Sequence, residues 1–127
     1  MKASIQLSEA ELKIMQTLWD HSPQTMADIT RALYGETAWT KNTVITLLKR
    51  MIAKGTVHVD ETVYPKTYRP LIDRQALGRE ETRSLLKRLF KGSPTMLMSN
   101  MVEDESLTER DLDEMIRLLQ KAKEERS

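Results

Sequence analysis

The sequence has no cysteine among its 127 residues, which excludes disulfide bonds, thiolate metal sites and cysteine nucleophiles. Its two histidines, His21 and His58, lie far apart, and neither stands at metal-ligand spacing from a carboxylate or in the pattern of a nucleophilic triad. The four glycines are scattered along the chain, so a glycine-rich phosphate-binding loop is absent as well. We therefore expect no enzyme activity, no cofactor and no metal site.

Long hydrophobic runs are also absent. No apolar run approaches the length of a bilayer-spanning helix, so we expect no membrane insertion. The first residues, MKASIQLSEAEL, contain neither the apolar core of a signal peptide nor a cleavage site of the usual small-residue type. These absences predict a cytoplasmic protein.

Charge is nearly balanced over the whole chain but segregated along it. The formal net charge is only +1, so the total charge does not indicate a nucleic-acid partner. Residues 40–54, however, contain four basic residues and no acidic residue, whereas residues 103–114 contain seven acidic residues and one basic residue. This segregation predicts a polyanion-binding face in the first half of the chain and a second half held away from phosphates.

Capping signals predict three short helices in the first half of the chain. Each begins with a hydroxyl residue that can cap the first turn, and the first two carry an acid three residues later. The predicted N-caps are Ser8, Thr25 and Thr40, and the predicted stops of the second and third helices are Gly35 and Gly55.

A hairpin follows the third helix. Residues 57–59 alternate as a strand, residues 60–66 are rich in turn formers, and residues 67–69 return as a second strand that ends at Pro70. Three helices followed by a hairpin is the order of a winged helix-turn-helix, which we predict for residues 1–72.

The second half of the chain predicts three more helices in a mainly α protein. A long helix runs from Asp73 to about Phe90, a short one follows Ser93-Pro94, and Thr108 caps the last. Because some 55 residues in three helices are too few to enclose a good core, we predict that residues 73–127 form a helical dimerisation region. The predicted dimerisation residues are Leu85, Leu89, Met98, Met101, Leu112, Met115, Ile116 and Leu119.

The third helix is the strongest functional candidate. At 100° per residue, Val44, Leu48 and their neighbours form a packing face, while the opposite face is polar and basic. An α-helix fits the major groove of DNA, and lysine or arginine beside it neutralises phosphates. The predicted DNA-binding residues of this helix are Thr40, Lys41, Asn42, Thr43, Thr46, Lys49 and Arg50. A solvated polar face is the alternative interpretation of the same pattern.

The hairpin offers further contacts to double-stranded DNA. Lys66, Tyr68 and Arg69, with His58, are predicted to touch phosphates or the minor groove. The alternative is that the hairpin only covers the three-helix core, in which case Tyr68 packs inward.

Two motifs give the sequence a family resemblance. The pattern E-x-x-I-M-x-x-L-W begins at Glu11, and K-x-T-V-x-T-L-L-x-R-M-x-x-K-G runs from Lys41 to Gly55. With these motifs the chain resembles the penicillinase-repressor family of bacterial regulators, the BlaI/MecI type. The resemblance implies a homodimer that binds a palindromic operator and represses antibiotic-resistance or homeostasis genes. It also implies inactivation by a protease at an Asn-Phe bond, for which Asn100-Met101 is the matching place, with methionine instead of phenylalanine.

Two other functions remain open at this point. The near-neutral charge is compatible with a winged helix that acts as a protein-protein adaptor without binding DNA. A ligand-sensing regulator is the third hypothesis, although no residue pattern identifies an effector site.

Overall fold

The computed structural model describes residues 6–127, which form six helices and three short strands. In chain order the elements are α1 (Glu9–Asp20), β1 (Gln24–Thr25), α2 (Met26–Thr37), α3 (Lys41–Lys54), β2 (Val57–Asp60), β3 (Thr67–Pro70), α4 (Arg74–Leu89), α5 (Pro94–Glu103) and α6 (Glu109–Arg126). The strands form an antiparallel sheet in the order β1-β3-β2. Three helices and a hairpin wing make the first half a winged helix-turn-helix, and three helices follow, so the predicted fold class is confirmed.

The helix starts are where the capping residues predict them. Ser8 Oγ accepts a hydrogen bond from the Glu11 backbone N–H (3.1 Å), and the Ser8 N–H donates to the Glu11 carboxylate (2.9 Å). Thr25 and Asp28 form the same reciprocal box at the start of α2. Thr40 caps α3, which ends at Gly55 in the left-handed region, with φ of 80°. The boundaries of α1 and α3 were therefore readable from local chemistry.

The predicted stop at Gly35 is wrong, because α2 continues to Thr37. Ala38 closes the helix instead, with φ of 55°, and its N–H donates to the Tyr34 carbonyl at 2.8 Å. The Thr37 hydroxyl donates to the Leu33 carbonyl (2.8 Å), so the last turn is well bonded. A glycine inside a helix costs only about 1 kcal/mol, which this turn tolerates.

The core of the first unit lies between α1, α2, α3 and the hairpin. The predicted packing face of α3 is confirmed, because Val44, Leu48 and Met51 are fully buried and Leu47 is nearly so. The core side chains are Ile14, Met15, Leu18, Ile29, Leu33, Val44, Leu47, Leu48, Met51, Val57 and Tyr68. Burial of each large aliphatic side chain contributes about 1.5–3 kcal/mol, which fixes α3 with its opposite face outward.

The chain divides into two compact units, Met1–Glu80 and Glu81–Ser127. The division falls inside α4, eight residues after the predicted boundary at residue 72, and the first turns of α4 belong to the winged unit. The caps of the second unit match the sequence pattern: Ser93 caps α5 with Pro94 at its first turn, and Thr108 caps α6. Neither α5 nor α6 contains a buried residue.

None of the helices within residues 6–127 is long and apolar enough to span a bilayer.

A charged pair ties the start of α1 to the end of α3. The Lys54 ammonium donates to the Glu11 carboxylate at 2.8 Å, and Glu11 is completely buried whereas Lys54 is 40% exposed. Burial by itself raises the pKa of Glu11, but the hydrogen bonds from Lys54 and Ser8 outweigh it and hold that pKa below its usual 4.5. A lowered carboxyl pKa in the folded state stabilises the fold above pH 4.5, and this contribution is lost as the pH falls through the lowered value.

We predict that Lys54→Met lowers the free energy of unfolding by about 1–3 kcal/mol at pH 7, because Glu11 loses a charged donor. The difference between wild type and variant should shrink as the pH is lowered below 4.5, since protonated Glu11 no longer needs a cation. Urea unfolding at several pH values measures this difference in the free energy of unfolding. Lys13→Met is the matched control, because Lys13 pairs with Glu36 on the surface and exposed pairs contribute only about 0–1 kcal/mol. Equal losses for the two variants would contradict the importance of the buried pair.

Candidate nucleic-acid interface

The outer face of α3 is exposed along its whole length. Every predicted DNA-binding residue of this helix is exposed: Thr40, Lys41, Asn42, Thr43, Thr46, Lys49 and Arg50. The buried face of the same helix holds them in place, because its apolar side chains alternate with them at helical spacing. The structure therefore leaves all seven residues accessible at the cap and on the outer side of this helix, and we call this set the α3 face.

The cations of the α3 face have no ion-pair partner in the part of the chain that the structure describes. Lys41, Lys49 and Arg50 form no ion pair within 4.0 Å with any of residues 6–127. The first turn of α3 also lacks an acidic residue, whereas α1, α2 and α6 each have at least one there. Free cations beside an uncompensated helix N-terminus create a positive surface that favours an anionic partner.

Two hydroxyls of the α3 face are already engaged by the backbone. Thr40 Oγ1 accepts from the Thr43 N–H at 3.5 Å as the helix cap. Thr46 Oγ1 donates to the Asn42 carbonyl at 2.9 Å, which leaves its methyl group and its oxygen lone pairs for an external contact. The Asn42 side-chain amide makes no hydrogen bond in the described part of the chain, so its donor and acceptor are both free.

The wing divides its predicted residues between two faces. His58 and Arg69 lie opposite each other in the β2-β3 register, and both are exposed, as is Lys66. Tyr68, by contrast, is only 4% exposed and packs in the core, and burial raises its pKa. The prediction that Tyr68 contacts DNA is wrong because neighbouring strand residues point to opposite sides of the sheet, and Arg69 takes the outward position.

The tip of the wing contains a residue that the sequence pattern did not single out. Tyr64 is 99% exposed, and its neighbour Val63 is also exposed. Asp60 orders the tip, because its carboxylate accepts hydrogen bonds from the N–H (2.9 Å) and the hydroxyl of Thr62. These Thr62 hydrogen bonds are the largest cause of the lowered pKa of Asp60. The presence of an aromatic residue in a hairpin tip that was predicted to be exposed could have identified Tyr64 from the sequence.

The predicted dimerisation residues lie in the second unit, and much of their apolar surface is exposed to solvent. Leu89 is 64% exposed, Ile116 52% and Leu119 54%, while the predicted methionines are half-buried. Leu118, which the helical pattern omitted, is 67% exposed. This many exposed aliphatic side chains favours a covering surface, which is the condition that a dimer interface would meet.

The predicted cleavage bond, Asn100-Met101, lies inside α5. The Asn100 carbonyl accepts a hydrogen bond from the Asp104 N–H at 3.2 Å, which closes the last turn of that helix. A peptide bond must be extended to enter a protease site, so α5 has to unfold locally before this bond can be cut.

Comparison with known proteins finds relatives that match nearly the whole chain. The chain is 28% identical to the penicillinase repressor of Bacillus licheniformis over 97% of this chain and 96% of that protein. It is 22% identical to the methicillin resistance regulatory protein MecI of Staphylococcus aureus strain N315, over 91% and 94% of the two chains.

Solved structures match the winged half. The DNA-binding domain of the repressor BlaI has a TM-score of 0.51 and 32% identity, covering 58% of this chain and 90% of that one. The monomeric form of Bacillus licheniformis BlaI in complex with the blaP half-operator has the same TM-score and identity, covering 59% and 92%. The model of the penicillinase repressor family matches residues 7–121, so with its winged fold and its α3 motif this chain belongs to that family.

Proposed function

We propose that this chain is a dimeric transcriptional repressor that binds a palindromic DNA operator through the α3 face. The observation that carries the proposal is the α3 face itself, whose three cations have no partner within residues 6–127. The related BlaI monomer, solved on its half-operator, has 32% identity with this chain. Double-stranded DNA supplies the dense negative charge that such a face requires.

Each part of the α3 face has a distinct task in the proposed complex. Asn42 has the free amide that can pair with adenine in the major groove, and Lys41 and Thr43 lie beside it at the end of the helix that enters first. The methyl group of Thr46 can pack on a thymine methyl. Lys49 and Arg50 lie about one turn after Thr46, where they reach phosphates and release counterions.

Dimerisation doubles this contact. Two copies joined through their exposed apolar side chains would place their α3 helices in successive major-groove turns, about 34 Å apart. An inducing signal that separates the copies would then release the operator, because each half-site alone binds far more weakly than both together. Local unfolding of α5 followed by cleavage at Asn100-Met101 is one such signal.

A gel-shift experiment with DNA from upstream of the chain's own gene tests the proposed function. Saturable retardation that a shuffled duplex of equal length does not compete away supports a sequence-selective repressor. The adaptor hypothesis, which the near-neutral net charge of +1 motivates, is supported by either of two results. One is that the shuffled duplex competes as well as the unlabelled upstream duplex, and the other is that no retardation is seen.

We also predict that Tyr64 at the wing tip touches the operator. Tyr64→Ala should lower operator affinity about fivefold, roughly the 1 kcal/mol of one hydrogen bond, because the hydroxyl loses its partner at the minor groove or sugar. The melting temperature should not change, since Tyr64 is 99% exposed. Val63→Ala is the neighbouring control. Fluorescence anisotropy with a labelled duplex measures the affinity. Identical dissociation constants for Tyr64→Ala and wild type would show that the wing tip does not touch the operator.

A further inference from the structure

Three contacts hold the start of α4 against the end of α1. The indole N–H of Trp19 donates to the Ile72 carbonyl at 2.9 Å. The Arg74 guanidinium lies over the Trp19 ring, 5.3 Å from its centroid, and donates to the Asp20 carboxylate at 3.1 Å. We call these four residues, Trp19, Asp20, Ile72 and Arg74, the α1–α4 clasp.

The first turns of α4 are built to keep this position. Asp73 caps the helix, because its carboxylate accepts from the Ala76 N–H at 3.3 Å. Leu77, one turn after the clasp, is only 7% exposed. The first compact unit accordingly extends to Glu80, past the end of the hairpin. These turns therefore move with the winged unit and not as a free linker.

The clasp is largely exposed, so its contribution to the stability of the fold is small. Its ion pair joins side chains that are 57% and 74% exposed, and pairs of this kind contribute about 0–1 kcal/mol. The cation-π contact at an exposed site contributes about 0.5–1 kcal/mol. The three contacts nevertheless engage a ring face, a carboxylate and a carbonyl at the point where α4 begins, so we expect them together to hold its first turn on the winged unit.

We infer that Trp19, Asp20 and Arg74 are positioning residues that determine which half-site spacing the dimer accepts. This inference rests on the proposed function, in which the second unit joins two copies and α4 is the connection between the units. A bivalent protein gains affinity from its second site only where its geometry allows both sites to be occupied. In this proposal a firm clasp keeps the first turns of α4 on each winged unit, and so restricts binding to one spacing. A loosened clasp admits several spacings.

Operators of altered spacing test this role. The probes are a duplex selected by the full chain from a randomised pool, the same duplex with one base pair inserted between the half-sites, and a single half-site. One inserted base pair rotates one half-site by about 34–36° relative to the other. Wild type should bind the inserted duplex at least about tenfold more weakly, whereas Arg74→Ala and Trp19→Phe should differ less than about threefold between the two.

Matched measurements separate positioning from folding and from charge. Affinity for the half-site should be the same in wild type and Arg74→Ala, because the α3 face is unchanged. Arg79→Ala is the control: it removes one exposed cation from the same helix, has no ion pair among residues 6–127, and should retain the wild-type spacing ratio. Should Trp19→Phe fail to fold, Arg74→Ala alone decides, since Arg74 is largely exposed.

The outcomes distinguish this inference from the proposed function. A spacing ratio of Arg74→Ala equal to that of wild type overturns the positioning role and leaves the repressor intact. A wild-type chain that selects no duplex, or that binds the half-site as tightly as the full operator, overturns the dimeric repressor and the inference together.

Discussion

Replacing Met115 and Ile116 together by aspartate is expected to convert the protein into a monomer and to weaken full-operator binding at least about a thousandfold, some 4 kcal/mol. Both residues lie on α6, a helix without a buried residue, and Ile116 is 52% exposed within its own chain. A carboxylate placed in an apolar interface loses its hydration without gaining a partner, which costs several kcal/mol per ion.

Sedimentation equilibrium gives the mass of each variant, and anisotropy on full and half operators gives the affinities. Half-site affinity should be retained, because the α3 face is in the other unit. Lys121→Asp is the control on α6, since Lys121 lies on the polar side of the helix, away from Met115. A double variant with the wild-type mass would show that α6 does not form the dimer interface.

The double replacement Lys49→Ala/Arg50→Ala should lower half-site affinity by about one to two orders of magnitude at low salt and reduce the salt slope of binding by about 1.8 on the half-site and about 3.6 on the full operator. The expected slopes follow from about 0.9 counterion released per neutralised phosphate, with one phosphate for each of the two residues in every bound copy. Because both residues are exposed and form no ion pair with residues 6–127, the fold should melt as wild type does.

The control for this prediction removes two cations elsewhere in the winged unit. Lys13 and Arg31 already pair with Glu36 and Asp28, so Lys13→Ala/Arg31→Ala changes net charge equally without touching the α3 face. Affinity measured at four or more salt concentrations gives both slopes. If the salt slope of binding decreases equally in the two double variants, binding depends on overall charge and not on the α3 face.

Much of the fold was predictable because local chemistry dictates it. The Ser8-Glu11 box and the Thr40 cap set helix starts through hydrogen bonds between residues three apart, and Gly55 supplies a left-handed residue at a helix end. The two faces of α3 followed from helical periodicity for the same reason. Such signals do not depend on the rest of the chain.

The errors arose where distant residues decide the outcome. β1 has only two residues, Gln24–Thr25, and exists because β3 pairs with it, so no alternation could reveal it. Gly35 did not stop α2 because the bonding of the last turn outweighed its weak propensity. The side on which Tyr68 lies depends on the strand register. The α1–α4 clasp joins Trp19 to Ile72, 53 residues apart, which no local pattern reports.

The candidate site divides in the same way. The seven residues of the α3 face follow from the cap and the polar positions of one helix, and all of them are exposed in the structure. The wing residues depend on how the hairpin packs, which is why Tyr68 was assigned to the wrong face and Tyr64 was missed. Assignment of individual bases needs the operator sequence, which the protein chain does not encode.

Methylation protection by dimethyl sulfate tests the central claim most directly, because this reagent modifies guanine N7 in the major groove, where the α3 face is proposed to lie. On the selected duplex, wild type should protect guanines in two clusters separated by whole helical turns. Lys41→Ala should lose the protection of the guanine nearest the start of α3 in each cluster, because lysine is the side chain of this turn that pairs with guanine N7. Guanines that stay fully reactive on a duplex which the protein demonstrably occupies would show that α3 does not enter the groove, and would contradict the account.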